Sequence, residues 1–159
     1  MKILIQFVVL CLILGGCKTL LRIDSKKELQ KRAIVQQPEE ITEKYWKLVE
    51  LNGKPVVLDE CTGGRGAFII LKKENNRVNG STGCNTFTGA YEIDPARYRI
   101  RFSPMAITMM ACLNMEVENE LKRVLELADN YAVAADGKHL SLNRARMAPL
   151  ARFEAVYLQ

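Results

Sequence analysis

Residues 79–91, Asn-Gly-Ser-Thr-Gly-Cys-Asn-Thr-Phe-Thr-Gly-Ala-Tyr, hold three glycines, two asparagines and two aromatics. Such a composition excludes a helix, because Gly, Asn, Ser and Thr all favour turns or extended chain over a helix interior. The stretch reads as a turn at Asn79-Gly80 followed by a strand, with Gly83 and Gly89 letting other backbone approach closely. Whatever surrounds it must supply strand partners.

The flanking sequence does so. Residues 45–51 alternate apolar and polar positions up to an Asn52-Gly53 turn. Trp46, Leu48 and Glu50 share one face, and Tyr45, Lys47, Val49 and Leu51 the other. Trp46, the lone tryptophan, is read as a core anchor rather than a ligand platform. A Gly-rich loop at 54–65 leads to a strand at 66–73 with a dense apolar centre. Beyond the Asp94-Pro95 turn, residues 97–102 alternate again, with Tyr98, Ile100 and Phe102 expected inward and Arg97, Arg99 and Arg101 outward. That arginine row is either an anionic docking face or a solvated strand face that discourages edge pairing.

One helix is expected. Asn114 is its candidate N-cap, and Glu116, Glu118 and Glu120 place negative charge at the positive end of its dipole. Leu113, Val117, Leu121, Val124, Leu125 and Ala128 recur at helical spacing, so one face packs on a sheet. Its polar face is mainly acidic, which argues against a membrane surface. A hairpin on a two-residue Asp136-Gly137 turn follows, then a last strand at 150–158 with Phe153 and Tyr157 on one face and Arg152 and Glu154 on the other. Seven or eight short strands with one helix make an α+β domain with mostly antiparallel pairing.

The N-terminus has a different character. Met1-Lys2 precedes a short apolar run ending in Leu14-Gly15-Gly16-Cys17. A spanning helix needs about 20 apolar residues, and this run is shorter. Charged start, apolar centre and small residues before a cut are the pattern of a secretory signal. Leu14-Gly15-Gly16-Cys17 resembles the lipobox of bacterial lipoproteins. The resemblance implies a signal peptide at 1–16 and acyl chains on Cys17, enough for stable membrane attachment. The other reading is an ordinary signal peptide or an N-terminal membrane anchor with Cys17 incidental. Lys18, where lipoproteins kept in the inner membrane of enterobacterial types carry Asp, leans towards the outer membrane. Residues 17–44 are expected as the lipidated cysteine and a tether, which as flexible coil would reach roughly 30 Å. The tether is a spacer or a partner-binding arm, and the domain occupies 45–159.

Charge excludes one class of partner. From Tyr45 onward there are 15 Lys and Arg against 13 Asp and Glu, a net charge of +2. Nucleic-acid binding leaves a concentrated basic footprint, which is missing here. Catalysis has no visible constellation either. His139, the sole histidine, falls in a hairpin strand and reads as an exposed strand residue. There is no CxxC, no His, Cys or carboxylate cluster at metal-ligand spacing, and no GKS/T after the glycines. No cofactor is expected.

A paired motif carries a family resemblance. Gly83-Cys84-Asn85, Phe87, Gly89 and Tyr91, followed by Thr108-Met109-Met110-Ala111-Cys112, resemble the META, or HslJ-like, domain. The resemblance covers residues 44–159 and implies an incomplete, cracked antiparallel β-barrel packed against one helix. It also implies an envelope protein without established catalytic activity, linked to stress. Because Cys84 and Cys112 stand in the two halves of the signature, they are the expected disulfide pair in an oxidising compartment. Buried reduced cysteines side by side are the alternative, and Cys61 is then the spare thiol. The function expected is a membrane-anchored binder of another envelope component. The alternative is a carrier of a small hydrophobic ligand, such as an acyl chain, inside the barrel.

Overall fold

The computed structural model describes residues 41–56, 66–112, 115–145 and 147–157. Cys17, Cys61, Asn114 and the signal and tether up to residue 40 lie outside the described residues. Among the described residues ten strands and one α-helix of several turns are defined: β1 (Tyr45–Leu51), β2 (Lys54–Pro55), β3 (Phe68–Lys72), β4 (Arg77–Ser81), β5 (Thr86–Asp94), β6 (Arg99–Phe102), β7 (Ala106–Ile107), α1 (Glu116–Leu127), β8 (Asn130–Val133), β9 (His139–Asn143) and β10 (Ala151–Val156).

Every pairing between these strands is antiparallel, and an isolated bridge from Thr42 to Leu71 is parallel. The order β1-β3-β4-β5-β6-β8-β9-β10 returns to β1 and closes an eight-stranded barrel, while β2 adds to β1 and β7 to β5. The expected α+β class and helix-packed barrel are therefore present. The expected crack corresponds to the seam between β6 and β8, where Arg99 and Asn130 are the only register pair. Around it, the Tyr131 N–H donates to Tyr98 O at 3.0 Å and the Ile100 N–H to Asp129 O at 3.4 Å. Elsewhere the ladders run four or more residues, apart from a three-residue pairing of β1 with β3 and the short additions of β2 and β7.

The alternation in sequence becomes the inside of the barrel. Trp46, Ile69, Leu71, Val78, Ile100, Leu140, Leu142 and Phe153 are completely buried. Trp46 is thus the core anchor expected; burying an indole contributes on the order of 4–6 kcal/mol from area alone. Its Nε1–H donates to Ile41 O at 2.8 Å, which removes the polar penalty of that burial. Helix α1 lays Leu121, Val124 and Leu125 onto the same core, against β6 and β1. A register shift between Leu48 and Glu50 reverses the phase of β1, so Leu51 turns inward and Glu50 reaches Arg152 at 3.5 Å.

Several expectations need correcting. Asn79-Gly80 is not a turn but lies inside β4, and the chain reverses at 82–85. A Cβ on Gly80 would collide with Phe68 O and the Phe87 ring, so this glycine serves close strand packing. The Asp136-Gly137 hairpin has a longer loop: Val133 and Leu140 are the last pair, and Gly137 takes φ +67°. The helix begins at Glu116 with Met115 at the cap position. Tyr157 lies beyond β10 and is exposed, so it does not share the buried face of Phe153. Residues 41–44, expected as the end of the tether, belong to the domain: Ile41 is fully buried, and the Glu43 N–H donates to Leu71 O at 2.8 Å.

Candidate functional site

The turn at 82–85 is where local sequence and long-range contact meet. Gly83 takes φ +99°, a conformation that suits glycine. The Thr82 N–H donates to Asn85 O at 2.8 Å, and the Asn85 N–H donates to Thr82 Oγ1 at 3.0 Å. This closed turn fixes the Asn85 side chain, which is 1% exposed.

Asn85 then binds the second half of the signature. Its Oδ1 accepts from the Met110 N–H at 2.7 Å and from the Thr108 hydroxyl at 2.8 Å. Its Nδ2 donates to Met110 O at 3.1 Å and to Glu118 Oε2 on α1 at 2.8 Å. Backbone pairing adds to this, with the Thr108 N–H donating to Thr86 O at 3.0 Å. A disulfide joins Cys84 to Cys112 across a sequence separation of 28. The two halves of the motif are therefore one device: an amide hub and a covalent staple that pin residues 108–112 to the turn.

What the device presents is a groove. It has a volume of about 560 Å³ and lies between residues 103–111 and α1. Met105, Met109, Met110 and Met115 line it, together with Ile107 and Leu125. Met109 is 97% exposed and Met110 57% exposed. The polar lining includes Glu118, Asn119, Lys122 and Glu126. Gly89 supports the wall, because a Cβ there would displace the Met105 sulfur. Four of the chain's six methionines thus converge on one surface feature. Methionine is unbranched and polarisable, which suits a surface that adapts to an apolar partner.

Other sequence-predicted residues fall elsewhere. Phe87 and Tyr91 are buried in the barrel. Burial, with the Glu43 charge adding to it, raises the Tyr91 phenol above its ordinary value, and its hydroxyl donates to Lys72 O at 3.2 Å. Ala111 is exposed at the groove. The arginine row is not a row. Arg97 sits in a single 3-10 turn and pairs with Asp94 at 2.9 Å, Arg99 lies 3.8 Å from Asp129, and Arg101 faces Glu92 across the β5–β6 ladder. Each arginine thus has an acidic neighbour. Tyr98, expected inward, takes φ +54° ahead of β6 and is 39% exposed. His139 is exposed, with Nδ1 3.0 Å from Asp136 Oδ2. Among the described residues no group of three or more His, Cys, Asp or Glu could hold a metal ion, and no helix is long and apolar enough to cross a membrane.

Sequence reading missed the role of Glu118, assigning it only to the helix dipole. It is 5% exposed, on the same stripe as Leu121 and Leu125. The signal was available, since positions 118, 121 and 125 follow the i, i+3, i+7 spacing of a buried face.

A family model described as the META domain matches residues 39–157. The chain belongs to the META domain family. Among solved structures, the META domain here is similar to a protein determined by NMR, at 22% identity and a TM-score of 0.57, covering 74% of this chain and 93% of that one. It is also similar to an NMR structure of a protein from Burkholderia xenovorans, at 17% identity and TM-score 0.58, over 74% of this chain and 85% of that one. A crystal structure of a duf4847 family protein from Bacteroides vulgatus ATCC 8482 is similar at 17% identity and TM-score 0.52, over 73% and 94%. These likenesses concern the fold. No curated protein matches the chain.

Proposed function

We propose that this META domain is a lipid-anchored, non-catalytic component of the bacterial cell envelope that binds another envelope protein through its methionine groove. The lipobox-like Leu14-Gly15-Gly16-Cys17 supports the anchor, with acyl chains on Cys17 and the domain on the periplasmic side, at the outer rather than the inner membrane. The observation that carries the binding function is the exposure of Met109 and Met110 on a segment clamped by a disulfide and by Asn85. A backbone segment pinned in place loses little conformational entropy on association, while its exposed methionine side chains remain free to adapt to a partner. The carrier reading has less support, because the barrel interior is filled by Trp46, Phe153, Leu71, Ile100 and Leu140.

The test is photo-crosslinking in the native envelope. Photo-methionine is incorporated into the full-length lipidated chain, and adducts are mapped by mass spectrometry. The expected result is one envelope protein attached at Met109 or Met110 and lost in Met109→Asp/Met110→Asp. Adducts that persist unchanged in the double variant would refute the groove as the docking surface. A native chain still beginning at Met1 would refute the anchor.

A further inference from the structure

We propose that the floor of the groove recognises a primary ammonium group carried on an aliphatic stem, with Glu118 as its counter-ion. This deepens the docking function above and rests on it.

Glu118 is buried, and no cation among the described residues pairs with it. Its Oε2 accepts hydrogen bonds from the Thr82 hydroxyl at 2.7 Å and the Asn85 amide at 2.8 Å, both neutral donors. Its Oε1 receives no hydrogen bond from any described residue, and no Lys or Arg among them forms an ion pair with it. Lys122 and Glu126 line the same groove, and Lys122 makes no ion pair with Glu118, so these three groups leave a net charge of −1. A neutral glutamine oxygen could accept from Thr82 and Asn85 in its place, more weakly than the carboxylate and without its favourable charge in the first turn of α1. What the described residues leave the carboxylate without is a cation, and it lines the groove where a ligand would sit.

The geometry selects among cations. A guanidinium binds carboxylate best through two parallel hydrogen bonds to both oxygens. Here Oε2 already accepts two, so only Oε1 is open, and that favours a compact ammonium. The thioethers of Met105, Met110 and Met115, which line the same groove, suit the methylenes of an unbranched stem. The volume of about 560 Å³ falls within the range of small-ligand sites, about 300–1,000 Å³. The same chemistry belongs to a lysine side chain of a partner polypeptide and to a free alkylamine.

The test uses the full lipidated chain in nanodiscs with 13C-methyl methionine. Butylammonium, butylguanidinium and butanol are titrated while the Met105 and Met115 methyl signals are followed. Butylammonium is expected to bind at least tenfold more tightly than the other two, and Glu118→Gln should reduce it to the level of butanol. Lys122→Glu, at a partly exposed position, should tighten butylammonium several-fold and serves as the second readout should Glu118→Gln not fold. Equal binding of butylammonium and butanol, or insensitivity to both substitutions, would overturn the proposal. An Ala-Leu-Lys-Leu-Ala peptide with blocked ends separates the sources: tenfold tighter binding than butylammonium identifies a polypeptide lysine, and parity identifies a free amine. Loss of ammonium preference with photo-crosslinking intact would remove this inference alone, whereas loss of the crosslink would remove the docking function beneath it.

Discussion

Asn85→Ala is the substitution that most directly tests whether the signature is a structural hub. The asparagine side chain makes four hydrogen bonds with oxygen or nitrogen partners: to Glu118 at 2.8 Å and Met110 O at 3.1 Å as donor, and from Met110 N at 2.7 Å and Thr108 at 2.8 Å as acceptor. Three are neutral, each contributing about 1 kcal/mol, and the one to the carboxylate contributes about 1.5–3 kcal/mol. The sum is about 4.5–6 kcal/mol. Water reaching the part-exposed Met110 backbone would restore some of it, so the expected loss is about 4 kcal/mol, a large share of a typical domain stability of about 5–15 kcal/mol. Urea unfolding followed by tryptophan fluorescence reads it out through Trp46, with the slope unchanged if only the native state is affected. A thermal midpoint lower by about 15 °C should accompany it. Combining Asn85→Ala with Glu118→Gln should be non-additive by about 0.5–3 kcal/mol, since the two side chains touch. A cost below about 1.5 kcal/mol for Asn85→Ala, or strict additivity with Glu118→Gln, would refute the hub.

Three further outcomes follow from the geometry. Cys84→Ala/Cys112→Ala releases a loop of separation 28 and should cost roughly 3 kcal/mol in urea midpoint analysis, while the barrel's far-ultraviolet spectrum persists. Gly80→Ala should destabilise by about 2–3 kcal/mol or prevent folding, because its Cβ meets backbone at Phe68 O; Gly89→Ala should cost about 1 kcal/mol, because it meets the flexible end of Met105. The Ala145 N–H, donating at 2.8 Å, holds the Asp129 carboxyl below its ordinary range; Asn130, Arg99 and Arg144 assist, while partial burial opposes them. A pKa depressed by folding gives stability that is present above the unfolded value and lost as pH falls through the folded one. The urea midpoint should therefore drop below about pH 4, and Asp129→Asn should flatten that slope; an unchanged slope would contradict the assignment.

How much of this could be read in advance depends on whether the deciding contact is local. Trp46, Leu48 and Phe153 are legible through period-two alternation, and Ile69 and Leu71 through the dense apolar centre of their strand; the structure buries all five. Cys84 and Cys112 were paired because each belongs to one half of a resemblance, and they are bonded. The failures share one cause. Asn79-Gly80 has the chemistry of a turn, yet Gly80 is needed where Phe87 and Phe68 cross it, a requirement set by two other strands. Tyr98 and Arg97 continue the alternation of β6 in sequence, but Asp94 accepts from the Arg97 N–H and holds a 3-10 turn there, so the strand starts two residues late. Glu118 is the most instructive case. On its own helix it is one acid among several near a dipole end. It becomes a site only when a turn from residue 82 onward folds against it and four methionines line the same groove, a coincidence of three segments that no local pattern records. The fold depends on positions that alternate, and those are legible. The groove depends on where a long loop is pinned, and the pin is a pair of residues, Asn85 and Cys84, whose partners lie beyond any sequence window.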